Sequence, residues 1–374
     1  MTAPAAPVAV TPAEATEGCR YCWMCRHVCP VGHVTHRETY TPHAWALTIE
    51  SVSRGQLTWN RETVDVLYAC ADCGLCRTHC VTDRPLPDAI AAARTEVAGA
   101  GLAAPVVYDL DERLRTFGNP YGVKASAAAR EIADVALLVG DAGAQLGPEA
   151  LEAAVVLLNA AGILALPIGV SRSTGWLASS LGLRSTAVAL GEALIAEVAA
   201  TEVREVLVLS AADRWAIEHV YPERLALAWP AGVVVKDVTT ALFEAHQGGR
   251  LRLRPAAGDV RPYAYHDPCH APRIARDHAA PRALLAAALG AAEARPLFWR
   301  EGRAHPCGAV GGLEFTHPAI AAELAAARIA DARAAGAGWL ITDDPGCLHH
   351  LQAHRADGIP VRGLFEVLAE RITP

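Results

Sequence analysis

Residues 19–30 read CRYCWMCRHVCP, and residues 70–80 read CADCGLCRTHC. Both stretches place four cysteines at the spacing C-x2-C-x2-C-x3-C, and the first stretch closes on Pro30. Three thiolates on one tight loop can reach three corners of a small metal cluster, and the fourth thiolate must then arrive from elsewhere. The repeated spacing therefore predicts two metal clusters held by one N-terminal module.

This spacing binds cubane 4Fe–4S clusters in two-cluster ferredoxins, where the fourth cysteine of each run ligates the other cluster. Four disulfides and zinc sites are the alternatives. Disulfides need an oxidising compartment, and the first residues lack the basic and apolar regions of a secretory signal. Zinc sites do not require this run twice. The predicted ligands are Cys19, Cys22, Cys25 and Cys80 for one 4Fe–4S cluster, and Cys70, Cys73, Cys76 and Cys29 for the second.

Length, charge and hydropathy limit the class of protein. A chain of 374 residues is expected to hold two or three domains. Its net charge of −7, without a basic block, argues against a nucleic-acid partner. No apolar run reaches the roughly 18 residues that span a bilayer. We therefore expect no transmembrane segment and a cytoplasmic protein, free or bound peripherally at the inner face of the membrane.

The pattern of apolar residues predicts a mainly helical N-terminal module followed by two α/β units. Strand-like runs such as VALLVG (135–140) and WLITDD (339–344) alternate with helical runs such as 149–162 and 317–336. Such alternation favours mostly parallel sheets with helices on their faces, here in two pseudo-repeated copies. The predicted parts are a disordered tail (1–17), the two-cluster ferredoxin-type domain (18–120), an α/β unit without cysteines (121–252) and an α/β unit with three cysteines (253–374).

The three remaining cysteines, Cys269, Cys307 and Cys347, each lie at or just beyond a predicted strand end. Ligands of open parallel sheets gather at the carboxyl ends of the strands. We therefore expect these cysteines to converge on a third metal centre, although three ordinary buried residues are the alternative. Potential further ligands in the same stretches are His266, Asp267, His270, His305, Asp344, His349 and His350.

The chain contains, in this order, two ferredoxin-type runs, the sequence GNPYG (118–122) and two α/β units with cysteine-containing loops. A known family has the same order of parts. The chain resembles the iron–sulfur subunits of heterodisulfide reductase, glycolate oxidase and anaerobic glycerol-3-phosphate dehydrogenase, which contain CCG domains. In that family each CCG unit carries one Cys, a Cys-Cys-Gly and a C-x2-C, which bind a further cluster. The resemblance maps these elements onto Cys269, Pro306-Cys307-Gly308 and Asp344-Pro345-Gly346-Cys347.

Two of the five cysteines expected from the resemblance are replaced in the second unit, by Pro306 and Asp344. A five-thiolate noncubane cluster is therefore not expected. Three thiolates could hold a cubane 4Fe–4S cluster whose fourth iron takes Asp344, a histidine or an exogenous ligand. They could equally hold one zinc or iron ion with Asp344 or a neighbouring histidine.

The first unit departs further from the family pattern. Asp141 stands where the lone cysteine is expected, and Ser173-Thr174-Gly175 replaces the Cys-Cys-Gly. Residues 210–213, SAAD, replace the C-x2-C. We therefore expect this unit to keep the scaffold and to bind no cluster.

The resemblance implies an electron-transfer subunit in a hetero-oligomer. Its partner would be a flavoprotein dehydrogenase acting on a small substrate such as a 2-hydroxy acid or glycerol 3-phosphate, with a quinone or an electron-transferring flavoprotein downstream. The chain has no dinucleotide fingerprint of its own. Two alternatives remain: a reductase or open-iron enzyme whose Cys269/Cys307/Cys347 centre is catalytic, and a redox-sensing or scaffold protein.

Overall fold

The chain is an α/β protein in which a mainly helical N-terminal module precedes two parallel sheets. This confirms the predicted fold class. The computed structural model describes residues 11–124, 133–257, 261–274, 278–355 and 358–373.

The N-terminal module is built from short helices, most of which have proline at their first or second position. Proline suits this position because the first N–H groups of a helix have no intrahelical partner. Two single 3₁₀ turns, Arg26–Val28 and Glu38–Tyr40, flank the second helix. The helices are α1 (Pro12–Thr16), α2 (Pro30–Thr35), α3 (Pro42–Ser53), α4 (Arg61–Tyr68), α5 (Leu75–Thr78), α6 (Leu86–Gly99) and α7 (Pro105–Phe117).

The prediction of a disordered tail over residues 1–17 is wrong for its last part, because α1 is ordered. Thr11 and Glu14 form a capping box in which the Thr11 N–H donates to Glu14 Oε2 at 2.9 Å. Ala15 is buried where α1 packs against α3 and α6. A composition rich in Ala, Pro and Thr indicated disorder, but capping and tertiary packing stabilise this turn. Residues 1–10 of the predicted tail lie outside the described residues.

The first α/β unit contains a four-stranded parallel sheet in the order β2-β1-β3-β4. A π-helical stretch, Ala216–Leu225, follows its third strand and contains Pro222. The elements are β1 (Val135–Leu138), α8 (Gly140–Gln145), α9 (Pro148–Ala160), β2 (Ala165–Ile168), α10 (Trp176–Ser180), α11 (Arg184–Thr201), β3 (Glu205–Val208), α12 (Ala211–Trp215), β4 (Val234–Asp237) and α13 (Val238–Gln247).

This first sheet is buried on both faces. Leu138 and Val206 belong to the core that the sheet shares with the N-terminal module. Leu137 and Leu207 belong to the core that it shares with the second unit. Successive strand residues point to opposite faces, so apolar side chains at neighbouring positions join two different cores.

The second unit contains a three-stranded parallel sheet in the order β5-β6-β7. Its last helix packs on α9, which joins the two units. Within the described ranges, no helix combines the length and apolar character needed to cross a bilayer. The elements are β5 (Tyr263–Tyr265), α14 (Ala271–Ile274), α15 (Ala279–Leu289), a 3₁₀ turn (Glu301–Arg303), α16 (Leu313–Thr316), α17 (Pro318–Ala334), β6 (Trp339–Thr342), α18 (Pro345–Ala353), β7 (Val361–Gly363) and α19 (Leu364–Ala369).

Candidate metal centres

The two cysteine runs follow the same backbone path. Tyr21 and Asp72, which precede the second cysteine of each run, have φ angles of 47° and 46°. Trp23 and Gly74, which follow that cysteine, have φ angles of 64° and 73°. A positive φ is costly for a residue as bulky as tryptophan, so Trp23 indicates a backbone held by its loop. The equal conformations support two copies of one metal-binding loop.

The first cavity lies at the surface of the N-terminal module. It opens beside the exposed side chains of Trp23, Met24 and Val81. Cys76, from the second run, also reaches this cavity. Four further cysteines line it, three from the first run and one from the second: Cys19, Cys22, Cys25 and Cys80.

The second cavity is smaller, and most of its cysteines are buried. Trp45, which is buried, forms part of its wall and donates its Nε1–H to the Val66 carbonyl at 2.8 Å. The lining cysteines are three from the second run and one from the first: Cys29, Cys70, Cys73 and Cys76. Each cavity is thus lined by cysteines of both runs.

The chemistry of these pockets suits iron–sulfur clusters rather than free thiols. Backbone N–H groups donate to Cys29, Cys70 and Cys80 sulfurs, each at 3.4 Å, and such bonds are typical of cluster ligands. Burial raises the pKa of Cys25 to about 11 and that of Cys70 to about 12. The thiolates of Cys25 and Cys70 are therefore favoured at neutral pH only when a metal offsets their charge. All eleven cysteines are described, and none forms a disulfide.

A buried arginine, which the sequence analysis did not identify, holds the second cysteine loop against the first α/β unit. Arg224 donates to both oxygens of Asp72, at 2.7 and 2.9 Å, and to Asp88 at 2.8 Å. Ser180 Oγ donates to Asp72 at 2.7 Å. Burial opposes ionisation of Asp72, but Arg224 outweighs burial and lowers the pKa of this carboxyl. Asp72 stands inside a predicted cluster loop, whereas nothing in the local sequence marks Arg224 as buried.

In the second unit, Cys307 from a loop and Cys347 from the first turn of α18 are brought together, with their sulfurs 2.9 Å apart. His266 completes a group of three donor atoms that all lie within 4.8 Å of one another. All three residues are buried, and His266 Nε2 has no hydrogen-bond partner. Burial lowers the pKa of His266 to about 3, so its imidazole is neutral and able to bind a metal. Two buried thiols grouped with an imidazole that has an unpartnered nitrogen fit a zinc or iron site, or part of a cluster site.

Cys269 is close to this pair but is not a member of the three-atom group. Its thiol interacts electrostatically with Cys73 of the second cavity and with Cys307. The neighbouring His270 lies 3.1 Å, through Nε2, from the Asp72 carbonyl oxygen. Cys269 therefore stands between the second cavity and the Cys307/Cys347 pair. The three cysteines lie in one region, as predicted, but only two of them are in contact.

Asp344, which the sequence suggested as a fourth metal ligand, accepts hydrogen bonds on both of its carboxylate oxygens. Its Oδ1 accepts the Cys347 N–H at 2.9 Å, which caps α18. Its Oδ2 accepts from Ser210 Oγ at 2.8 Å and from the Ala211 N–H at 3.0 Å, which ties the two α/β units together. Asp344 already accepts three hydrogen bonds, one of them as the N-cap of α18, and binding a metal would disrupt them. Asp344 therefore positions Cys347 and does not bind the metal itself.

The other ligands proposed from sequence have partners away from the cysteine pair. Asp267 forms a bidentate pair with Arg282, at 2.8 Å for both bonds. His305 stacks on Trp299 with the ring centroids 4.0 Å apart. His350 lies 3.2 Å from the Ala321 carbonyl oxygen, and His349 is exposed. Among the histidines named from sequence, His266 is the one that the fold brings to the sulfurs.

Comparison with known proteins agrees with this division of the chain. Residues 18–84 match the family described as "4Fe-4S dicluster domain", and residues 263–352 match the family described as "CCG: Cysteine-rich domain". No curated protein matches the sequence significantly. A crystal structure of a hypothetical protein from Helicobacter pylori shares the fold, with a TM-score of 0.56 and 10% identity over 88% of this chain and 67% of that chain. The chain thus joins a 4Fe-4S dicluster domain to a CCG cysteine-rich domain, as in the iron–sulfur subunit family that its sequence resembles.

Proposed function

We propose that this chain is the electron-transfer subunit of a multi-subunit oxidoreductase, and that its three centres relay single electrons from the surface to the interior. The order of the centres carries this proposal. The first cavity has the exposed Cys22 on its rim, whereas most cysteines of the second cavity and the Cys307/Cys347 pair are buried. When bound, 4Fe–4S clusters supply one-electron carriers at the two N-terminal cavities.

Two cysteines connect the successive centres. Cys76 lines both N-terminal cavities. Cys269 lies within electrostatic reach of Cys73 on one side and Cys307 on the other. A glycine of the second unit, Gly311, packs on the Ala71 carbonyl so closely that a Cβ would come within 2.7 Å. The second loop and the third centre therefore form one packed unit without an intervening layer of solvent.

The exposed rim of the first cavity suits the docking of a redox partner. Trp23 is 51% exposed and Val81 is 76% exposed, and Cys22 is exposed between them. Solvent-exposed apolar side chains beside a redox centre let a partner approach it closely. We propose a flavoprotein dehydrogenase as the donor at this rim, with a quinone or an electron-transferring flavoprotein downstream, because a flavin converts two-electron chemistry into single electrons.

The burial of the third centre favours a relay over direct catalysis there. His266 and Cys307 are each 1% exposed, and Cys347 is 6% exposed. A substrate would have to reach this pair through packed side chains, whereas an electron does not. We therefore propose Cys307, Cys347 and His266 as ligands of the inner end of the relay, with Cys269 as a connecting or fourth ligand.

Paired cysteine variants test the crossed ligands. Cys80→Ser should remove the same EPR signal, and the same share of iron, as Cys19→Ser. Cys29→Ser should remove the signal lost in Cys73→Ser. A Cys80→Ser variant that behaves like Cys73→Ser would show that each run binds its own cluster.

Freeze-quench EPR after reduction by photoreduced deazaflavin tests the relay. Loss of the second cluster in Cys29→Ser should slow reduction of the third centre, whose own ligands remain intact. An unchanged rate would overturn the proposed order of electron flow. Anaerobically purified chain that folds without iron would overturn the function itself.

A further inference from the structure

The two α/β units carry equivalent tight turns in front of their ligand positions. Gly175 has a φ of +88°, and a Cβ there would lie 2.6 Å from the Ala187 carbonyl oxygen. Gly308 has a φ of +112°, and a Cβ there would lie 2.2 Å from the Ala321 carbonyl oxygen. Both positions need glycine, because the backbone is left-handed and touches the following long helix. The residues before these glycines are therefore placed in the same way in each unit.

Those preceding residues make matching contacts with different chemistry. In the second unit Cys307 Sγ lies 2.9 Å from Cys347 Sγ. In the first unit Thr174 Oγ1 donates to Asp213 Oδ1, also at 2.9 Å. Asp213 comes as many residues after the end of β3 as Cys347 comes after the end of β6. Each of these two residues lies in a helix that is capped by a polar side chain. The first unit thus brings two oxygens together where the second unit brings two sulfurs together.

A second carboxylate lies within electrostatic reach of this oxygen pair. Asp141 lies just beyond β1, in α8, and its charge acts on Asp213. The adjacent Gly140 leaves space for the Asp213 carboxylate, since a Cβ on that glycine would come within 2.4 Å of Asp213 Oδ2. The three donors therefore come from three different loops of the first unit, at the carboxyl edge of its sheet.

Asp213 provides an independent sign of a missing partner. It is only 5% exposed, and its Oδ2, which faces Gly140, accepts no hydrogen bond. Among the ion pairs of the described residues, no lysine or arginine pairs with Asp213, Asp141 or the neighbouring Glu314. A buried carboxylate oxygen without a donor or a cation is unfavourable, so either a cation or a shared proton is expected to neutralise this position.

We propose that Asp141, Thr174 and Asp213 bind one hard divalent cation of the Mg²⁺ or Mn²⁺ class. Carboxylate and hydroxyl oxygens suit such ions, which commonly take one or two carboxylates and complete their shell with water. Thiolates suit softer metals, so each α/β unit offers donors for a different class of ion. The cation would neutralise the buried carboxylates of the first unit, beside the third centre. It would take no part in the proposed electron relay.

Mn²⁺ titration of the full-length protein, purified anaerobically and dialysed free of divalent ions, tests this site. The EPR signal of free Mn²⁺ should show one strong site per chain. Asp141→Asn and Asp213→Asn should weaken this site by more than about tenfold, since even a residue behind the ligands commonly alters metal affinity by that factor. Thr174→Val should weaken it as well. Glu152→Gln, an exposed carboxylate variant of α9, is the matched control and should bind Mn²⁺ like the wild type.

Thermal melting separates cation binding from a purely structural role. Mn²⁺ should raise the Tm of the wild type in a concentration-dependent way and should leave that of Asp213→Asn unchanged. Without divalent ions, Asp213→Asn should melt above the wild type, because it removes a buried charge. Cys347→Ser should lose the third centre and keep the Mn²⁺ site, which distinguishes this proposal from the electron relay. The proposal is overturned if the wild type binds no Mn²⁺, in which case the carboxyl pair shares a proton, or if both asparagine variants bind it as the wild type does.

Discussion

Replacing Asp72 by asparagine tests whether a buried ion pair holds the second cysteine loop in place. Asp72 is 2% exposed and Arg224 is 5% exposed, and the two make a bidentate pair. The substitution keeps the shape of the side chain and removes its charge. Arg224 then retains Asp88 as its only carboxylate partner among the described ion pairs.

The expected size of the effect follows from the partners that remain. Breaking a buried ion pair by removing one member costs about 3–5 kcal/mol. Asp72→Asn should fall near the lower end, because Arg224 keeps its 2.8 Å contact with Asp88. Arg224→Met should fall near the upper end, because it deprives both carboxylates of their arginine. Either loss is large beside a typical folding stability of about 5–15 kcal/mol.

Anaerobic urea denaturation followed by far-UV circular dichroism measures this change, and visible absorbance follows loss of the clusters in the same samples. The double variant, Asp72→Asn with Arg224→Met, should be destabilised by clearly less than the sum of the single variants. Groups in direct contact commonly couple by about 0.5–3 kcal/mol. Glu293→Gln, which breaks an exposed pair with Arg295, is the control and should change stability by less than about 1 kcal/mol.

Two results would refute this reasoning. If Asp72→Asn unfolds at the same urea concentration as the wild type, the pair does not stabilise the loop. If the effects of the single variants simply add in the double variant, Asp72 and Arg224 act independently and their contact carries no energy.

Three further predictions concern the turns, the acid stability and the third centre. Gly308→Ala should lower the free energy of unfolding by about 3 kcal/mol or more, because the new Cβ meets a backbone carbonyl. The control Gly336→Ala has a φ of +77° and open space around it, so it should cost about 1 kcal/mol in thermal melts. Burial opposes ionisation of Asp88, but its arginine partner lowers the pKa of this carboxyl below 3.8. The difference in unfolding free energy between the wild type and Asp88→Asn should therefore be largest above about pH 4 and should disappear in urea titrations at lower pH. His266→Ala should lower the third-centre metal content measured by mass spectrometry, and equal loss in the exposed His349→Ala would contradict the assignment.

The positions of the N-terminal cysteines could be predicted because their geometry is mostly local. Three cysteines separated by two residues must lie on one short loop, whatever surrounds it. Cys29 and Cys80 then line the cavity of the other run, as the repeated spacing predicts. The alternation of apolar runs with helical patterns likewise predicted the α/β class and the order of most elements.

Two edge strands, β4 and β7, escaped prediction. β4 has an exposed residue at Val234 and charged residues at its end, so it lacks the continuous apolar run of a central strand. β7 is three residues long. Both strands are defined by pairing with a neighbouring strand, β3 and β6 respectively, and such pairing is a long-range contact that a local pattern does not contain.

The ligands of the third centre show the same division. Asp344 and His266 both lie near a predicted ligand cysteine in sequence, and the chain alone did not separate them. In the fold Asp344 turns back to cap its own helix, while His266, at the end of β5, faces two sulfurs that arrive from distant loops. Proximity in sequence indicated the region, and packing selected the residue.

The chain alone predicts the number of cysteine groups, the repeated spacing of the two runs and the alternation of strands and helices, because spacing and periodicity act over a few residues. Tertiary structure alone decided which histidine faces Cys307 and Cys347, that Arg224 neutralises Asp72, and that Thr174 and Asp213 meet at the edge of the first sheet. These contacts join residues far apart in the chain. Their distances are set by how two sheets and the helical module pack, so only the folded chain contains them.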